Sequence, residues 1–383
     1  MVSSRRNNAA VFLENNLKIH VFIPLLTPKT LVWYMFSLAF GFAWSVLLSL
    51  FLVPTLMRLA YYKDITDRPS SRKLHGFATP LLGGMALYIS FLTSALIFID
   101  LLPLMECVLA GSCLVFFLGM KDDIMSAPPL KRLFVQCIAV AVVVFGADLY
   151  IRNLGGFLGI YNVPYVLGYL ATFLLLLGLI NAFNLIDGIN GLLGALTLYT
   201  SLGFAFMLYQ DYLSHALLLL FLAGALLGFL RYNFWSSNIF MGDTGSLVCG
   251  FVLAVYALFI IEMPLAESME LHKIGRVLAL LFYPILDLLR VMCVRFANGA
   301  SPMKADRCHI HHLLVDLGLT HPQVVGVLLA LQLSVLGIGI LIEGLGQTTV
   351  LCLYIGIGFG IHGLLCVLAK RYVKRYVKHY DKR

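Results

Sequence analysis

Apolar residues in this chain gather into windows of about 17–25 residues, the length a helix needs to cross about 30 Å of hydrocarbon. The windows fall near residues 31–57, 81–99, 103–119, 133–147, 164–180, 188–209, 214–230, 245–261, 275–293, 323–342 and 349–369. They predict an all-α, polytopic integral membrane protein of about 11 transmembrane helices, because a helix satisfies its own backbone polar groups in lipid. Numbering alternate connections puts 58–80, 120–132, 181–187, 231–244, 294–322 and the C-terminal tail on one side, and nearly every polar motif lies there. No repeat period or low-complexity block is present. The chain therefore reads as an N-terminal extension of unassigned role (1–30), a single transmembrane domain (31–369) and a basic tail (370–383).

Composition supports the bilayer reading. Of 383 residues 61% are hydrophobic and only 12% charged, and the mean hydropathy is +0.93, against about 25% charged residues in soluble domains. The net charge of +8 would suit nucleic acid in a soluble protein. Here most basic residues fall between spans, so no nucleic-acid partner is implied. Arg68, Arg72, Lys73, Lys131, Arg132, Arg295, Lys304 and Arg307 share the side that carries the polar motifs, which the positive-inside rule makes the cytoplasm. Arg5, Arg6, Lys18 and Lys29 fit that count less well. The closing KRYVKRYVKHYDKR suits anionic headgroups, at about 1 kcal/mol per basic residue near the surface. The eight cysteines lie mostly within apolar stretches without paired spacing and read as small hydrophobes.

Four polar clusters need a reason, since an aspartate at mid-membrane costs roughly 2.5–3.5 kcal/mol. GMKDDIMSAPPLKRLFVQ places Asp122 and Asp123 side by side, with Lys131 and Arg132 ahead of the fourth span. Adjacent carboxylates repel, so one is suited to act as a base while its neighbour answers a cation; a solvated span terminus is the bland alternative. NAFNLIDGINGLLG interleaves Asn181, Asn184, Asp187 and Asn190 with glycines. These are hard oxygen ligands of the kind Mg²⁺ takes, although a glycine-rich turn would also account for them. NIFMGDTGSL puts Phe240 before a turn carrying Asp243, a helix cap on one view, a metal ligand beside an aromatic platform on the other. SPMKADRCHIHHLL brings Lys304, Arg307, His309, His311 and His312 together, cations and donors suited to a diphosphate. Its single Cys308 lacks a structural zinc spacing. Carboxylates, oxygen ligands, an aromatic and cations on one membrane face form the inventory of metal-assisted phosphoryl transfer. A secondary transporter would instead place its charges near the midplane.

These motifs, with DRPSSRKLH and PLLGG ahead of them, resemble in order those of the polyprenyl-phosphate N-acetylhexosamine-1-phosphate transferase superfamily over most of residues 58–322. The SP…DRCHIHHL loop resembles the WecA-type branch rather than the MraY type, which disfavours UDP-MurNAc-pentapeptide as donor. The resemblance implies UDP-GlcNAc as donor, undecaprenyl phosphate as acceptor, Mg²⁺ with Mn²⁺ as a possible substitute, UMP as product, and a homodimer as an available state. It implies a bacterial cytoplasmic-membrane location, with the active site facing the cytoplasm. It also implies that Asn184 and Asp243 hold the metal, that Asp122 or Asp123 deprotonates the lipid phosphate, and that Arg132 contacts phosphate. Phe240 would stack on uracil, with Asn233 and Asn190 at its edge, while Lys73, Lys304, Arg307, His309, His311 and His312 would lie against the substrates. Asn190 stands where bacterial relatives commonly carry a second aspartate, which leaves Asp187 as that motif's acidic group. In the ninth span, Pro284 of FYPILDLLR predicts a bend that opens a lateral groove for the polyprenyl chain.

Overall fold

Every predicted span coincides with a helix in the computed structural model, which describes residues 28–67, 79–157, 159–235, 238–265, 272–297, 299 and 309–380. The first long helix comprises α1 (Pro28–Phe36), a π-helical turn over Ser37–Gly41, and α2 (Phe42–Tyr62). There follow α3 (Gly83–Phe98), α4 (Pro103–Ile124), α5 (Pro129–Gly146), α6 (Tyr165–Leu185), α7 (Leu192–Leu208), α8 (Leu213–Asn233) and α9 (Gly242–Glu262). The chain continues through α10 (Lys273–Leu280), α11 (Phe282–Ala297), α12 (Ile310–Asp316), α13 (His321–Leu341) and α14 (Gln347–Tyr380). Among the described residues, seven helices are long and apolar enough to cross a membrane, the α10/α11 pair adds an eighth when taken as one bent span, and α3, α7 and the Gln347–Ile361 part of α14 are shorter. The protein is a multi-pass membrane protein.

Helix α9 is the centre. It is buried from Thr244 to Ile260, with α3, α4, α6, α7 and α10 packed around it. A helix apolar on every face belongs in such a position, whereas α1, α2, α5 and α6 keep exposed residues such as Leu47, Phe51, Phe134 and Leu174 where lipid would lie. Two small antiparallel pairs depart from an all-helical chain. Thr66–Asp67 pairs with Thr79–Pro80 at the end of the bundle that carries the polar motifs, and Asn153–Phe157 pairs with Ile160–Asn162 at the other. Period-based reading overlooked both because they are only a few residues long. Cys107, Cys113, Cys137, Cys249, Cys293 and Cys352 are free thiols.

The predicted ninth span is broken, with a 70° bend between Lys273–Leu280 and Phe282–Phe296. Pro284 has no N–H to offer the carbonyl four residues back, which belongs to Leu280. That carbonyl instead accepts from Thr200 Oγ1 at 3.0 Å and Gln332 Nε2 at 3.0 Å. The Tyr283 N–H, freed by the same break, donates to Gln332 Oε1 at 2.7 Å. The chain thus turns at Leu281, three residues ahead of the proline predicted to bend it, because the lost bond lies upstream. Gln332 is fully buried and serves both sides of the break. Substituting Gln332→Leu is expected to leave the Tyr283 N–H unsatisfied and cost about 1–3 kcal/mol, read as a lower midpoint of thermal unfolding in detergent.

Candidate active site

Three helix ends meet where the polar motifs converge. At the start of α9, Gly242 adopts φ +69°, a conformation that favours glycine, and a Cβ there would lie 2.6 Å from Asp123 Oδ2. The close approach lets Asp123, from the end of α4, accept from Asp243 N at 2.7 Å, Thr244 N at 3.0 Å and Thr244 Oγ1 at 2.5 Å. A carboxylate from another helix therefore caps α9, the role its own Asp243 had the sequence position to play. The start of α3 is tied to the same turn, with the Gly83 and Gly84 N–H groups donating to the carbonyls of Phe240 and Met241 at 3.1 and 2.9 Å.

With the cap supplied by Asp123, the Asp243 side chain turns to α6 and accepts from Asn184 Nδ2 at 2.5 Å. Asn184 lies in the last turn of α6, since that helix runs to Leu185 and the predicted 181–187 connection shrinks to the turn after it. Its Nδ2 also donates to Ser246 Oγ at 2.8 Å, and its Oδ1 accepts from Arg132 Nη2 at 3.1 Å. Arg132 reaches Asp122 Oδ2 at 2.7 Å and Asp243 Oδ2 at 3.6 Å. A guanidinium is thus surrounded by oxygens from the ends of α4, α6 and α9. One turn further in, Gln136 and Asn181 exchange amide hydrogen bonds of 3.0 and 3.5 Å, fixing α5 against α6 and so Arg132 against Asn184.

The turn after α6 carries Asp187, Gly188 and Asn190. Burial away from water raises the Asp187 carboxyl to about 8, helped by the charges of Asp243 and Asp123. The fully buried His311 ring closes against this turn, where a Cβ on Gly188 would lie 2.3 Å from His311 Nε2. His309, His311 and His312 are grouped, with the His311 and His312 ring centres 4.3 Å apart. Asn233, expected at a nucleobase edge, is instead buried, and its amide is taken up within the chain. It accepts from Gly191 N at 2.7 Å and donates to Ile239 O at 2.7 Å. Phe240 is half-buried beside the start of α3, and Asn190 is half-buried on its turn. Lys73, Lys304 and Arg307 lie outside the described residues.

Several residues of this arrangement escaped sequence reasoning. Gln136 and Ser246 read as span interior, and Tyr283 and Asp287 read only as part of a bent helix, although they bond His311 and His309 at 3.1 and 2.6 Å. The usable signal was a run of polar residues at helical spacing inside an apolar window.

The raised Asp187 carboxyl has a consequence for stability. Its folded-state value lies above the usual 3.8, so its favourable contribution is full below that and is lost as pH rises through about 8. In chelator-treated protein, Asp187→Asn should gain thermal stability relative to wild type at pH 8.5 by more than at pH 6, about the two sides of that titration. A pH-independent gap between the two proteins would contradict the raised carboxyl.

A family model described as Glycosyl transferase family 4 matches residues 105–261, from α4 to the end of α9. The chain is similar to an undecaprenyl-phosphate alpha-N-acetylglucosaminyl 1-phosphate transferase of Yersinia pestis, with 31% identity over 82% of this chain and 84% of the relative. It is similar also to a probable undecaprenyl-phosphate N-acetylglucosaminyl 1-phosphate transferase of Bacillus subtilis, with 31% identity over 75% and 80%. A third relative is a decaprenyl-phosphate N-acetylglucosaminephosphotransferase of Mycobacterium leprae, with 31% identity over 70% and 74%. Motif order, the helices that carry the motifs and similarity along most of the chain agree: this membrane-embedded transferase belongs to glycosyl transferase family 4, the WecA-type polyprenyl-phosphate N-acetylhexosamine-1-phosphate transferases.

Proposed function

We propose that the protein transfers GlcNAc-1-phosphate from UDP-GlcNAc to undecaprenyl phosphate, releasing UMP, at the cytoplasmic face of a bacterial inner membrane. The observation that carries this reading is the oxygen cluster around Arg132, built from Asp122, Asn184 and Asp243, with His311 against the adjoining turn. The names of the relatives supply the acceptor class and the N-acetylglucosaminyl phosphate. The distribution of basic residues supports the cytoplasmic face. In the reaction an oxygen of the lipid phosphate forms a bond to the sugar-bearing phosphorus, and the bond from that phosphorus to UMP breaks.

The donor set fits a hard divalent cation. No group of three His, Cys, Asp or Glu side chains among the described residues is placed to hold a metal alone. Mg²⁺ is typically held by one or two carboxylates together with substrate phosphates. Asp243 and the Asn184 amide oxygen are the groups we assign to it, and the guanidinium among those oxygens supports the reading that they favour positive charge. Bound there, Mg²⁺ (or Mn²⁺) would neutralise charge on the diphosphate. Asp123 holds three donors of α9 in place, so Asp122, paired with Arg132, the residue we assign to phosphate, is the carboxylate we assign to the acceptor's proton. Arg132 can then exchange Asp122 for phosphate. The exposed apolar side chains Leu289, Met292 and Phe296 along α11 offer the bent span's outer face to the polyprenyl chain.

Purified protein in detergent, given undecaprenyl phosphate and radiolabelled UDP-GlcNAc, is expected to move label into lipid and release UMP. Chelation should stop this and added Mg²⁺ restore it. Label entering lipid only from UDP-GalNAc would overturn the sugar assignment. Asp243→Asn should lower turnover by about 10²–10³-fold with an unchanged unfolding midpoint. Asp123→Ala should instead lower the midpoint, by about 1–3 kcal/mol of lost capping, as well as turnover. Equal destabilisation by both variants would reject the division between a chemical and a capping aspartate.

A further inference from the structure

The histidines that close on the Asp187 turn are themselves held from behind. Tyr283 and Asp287 lie one helical turn apart on α11, about 6 Å along its axis, and both are fully buried. Tyr283 Oη is 3.1 Å from His311 Nδ1, and Asp287 Oδ2 is 2.6 Å from His309 Nδ1. The other Asp287 oxygen accepts from Ile310 N at 2.8 Å, which fixes the start of α12 to the same carboxylate. As a result the two imidazoles stand parallel, 15° between planes and 5.5 Å between centres. Each is tethered through the same ring nitrogen to an anchor of different chemistry.

That difference decides where each ring carries its proton. The nitrogen that makes the anchoring bond determines the role of the other. An ionised carboxylate only accepts hydrogen bonds, so His309 must carry a proton on Nδ1. The buried Tyr283 phenol has a proton to place, and His311 Nδ1 is the acceptor in reach among the described residues. With Nδ1 accepting, the single proton of a neutral His311 lies on Nε2. Burial first, then the neighbouring His312 and His309, keep the His311 imidazole well below its ordinary value and hence neutral. Its Nε2 is buried, has no hydrogen-bond partner among the described residues, and faces the Gly188 turn beside Asp187. A buried donor without a partner is costly unless a ligand supplies the acceptor.

We propose that Tyr283 and Asp287 are positioning residues that set opposite proton placements on His311 and His309, so that His311 presents an Nε2–H donor to an anionic phosphate oxygen of the bound substrate. The identity of that oxygen as part of a nucleotide-sugar diphosphate rests on the function proposed above; the proton placement does not. The break at Leu281 serves this arrangement. It redirects α11 so that Tyr283 and Asp287 face α12, and Gln332 holds the Tyr283 backbone at the bend.

The test is a long-range ¹H–¹⁵N correlation spectrum of full-length protein, ¹⁵N-labelled at histidine, in detergent. His309→Gln and His311→Gln variants assign the two rings. In the wild type, His311 should show a protonated Nε2 and an unprotonated Nδ1, whereas His309 should be protonated at Nδ1. Tyr283→Phe preserves shape but removes the donor, and should leave His311 with a mixed or reversed pattern. Its KM for UDP-GlcNAc should rise by about 10-fold, the loss of one oriented hydrogen bond, with a smaller change in kcat. Asp287→Asn places an amide N–H opposite His309 Nδ1 and should move the His309 proton to Nε2, the wrong-tautomer effect of replacing an orienting carboxylate by its amide. A purely structural role predicts lower thermal stability with unchanged ring patterns. A wild-type His311 protonated at Nδ1, or a folded Tyr283→Phe protein with an unaltered His311 pattern, would overturn the proposal. The spectra give their answer even if UDP-GlcNAc proves not to be the donor, because they are recorded without substrate.

Discussion

The architecture turns on the cap that Asp123 places on the first turn of α9. A helix beginning inside protein and lipid has backbone N–H groups that water cannot reach, and each left unsatisfied is expensive. Asp123 accepts two of them and the Thr244 hydroxyl, while the N–H groups that open α3 find the Phe240 and Met241 carbonyls. The central helix is thereby fixed in height against α3 and α4. Because the cap comes from α4, the carboxylate of Asp243 is released from its own helix end and meets Asn184 and Arg132. A backbone requirement has placed a side chain.

The same logic operates at the other broken element. Proline at 284 deprives the Leu280 carbonyl of its donor, and Thr200 of α7 and Gln332 of α13 replace it. Polar side chains in lipid-spanning helices are costly unless they find partners, so these two are explained by the break rather than by chemistry on substrate. What the break achieves is direction. The lower half of the span comes to face α12, where Tyr283 and Asp287 meet the histidines. Both devices convert an unsatisfied backbone group into a defined position for a functional side chain several residues away.

This explains which parts of the molecule were legible in the sequence. The spans were, because length and apolarity are local properties that tertiary structure does not override in a bilayer. Asp122, Asn184, Asp187, Asp243 and the histidines were, because polar residues bordering apolar windows stand out. Roles within the cluster were harder. Asp122 and Asp123 are neighbours of identical chemistry, yet one pairs with Arg132 and the other caps a helix 120 residues later. Asn233 has the composition of a ligand-binding amide, and it also braces the chain through its bonds to Gly191 and Ile239. Such assignments depend on which helix ends meet, and single-chain periodicity carries no information about that.

Charge is the remaining constraint on the site. Asp122 and Asp243 both reach one guanidinium, and Asp123 and Asp187 add two more carboxyl groups around Asp243, so the cluster is rich in acidic oxygen before any substrate arrives. A nucleotide-sugar diphosphate and a lipid phosphate would both be repelled by it, and the repulsion is little screened where water is excluded. The Asp187 carboxyl is raised first by removal from water and then by the neighbouring Asp243 and Asp123. Added positive charge would offset that repulsion. In the sequence, basic residues gather in two segments outside the described residues, the one bearing Arg68, Arg72 and Lys73 and the one bearing Lys304 and Arg307. The first departs from and returns to the Thr66–Asp67 and Thr79–Pro80 pair, whose Pro80 carbonyl is bonded to Phe240. The second leads directly into His309. A divalent cation at Asp243 and Asn184 would offset the same repulsion from within the cluster.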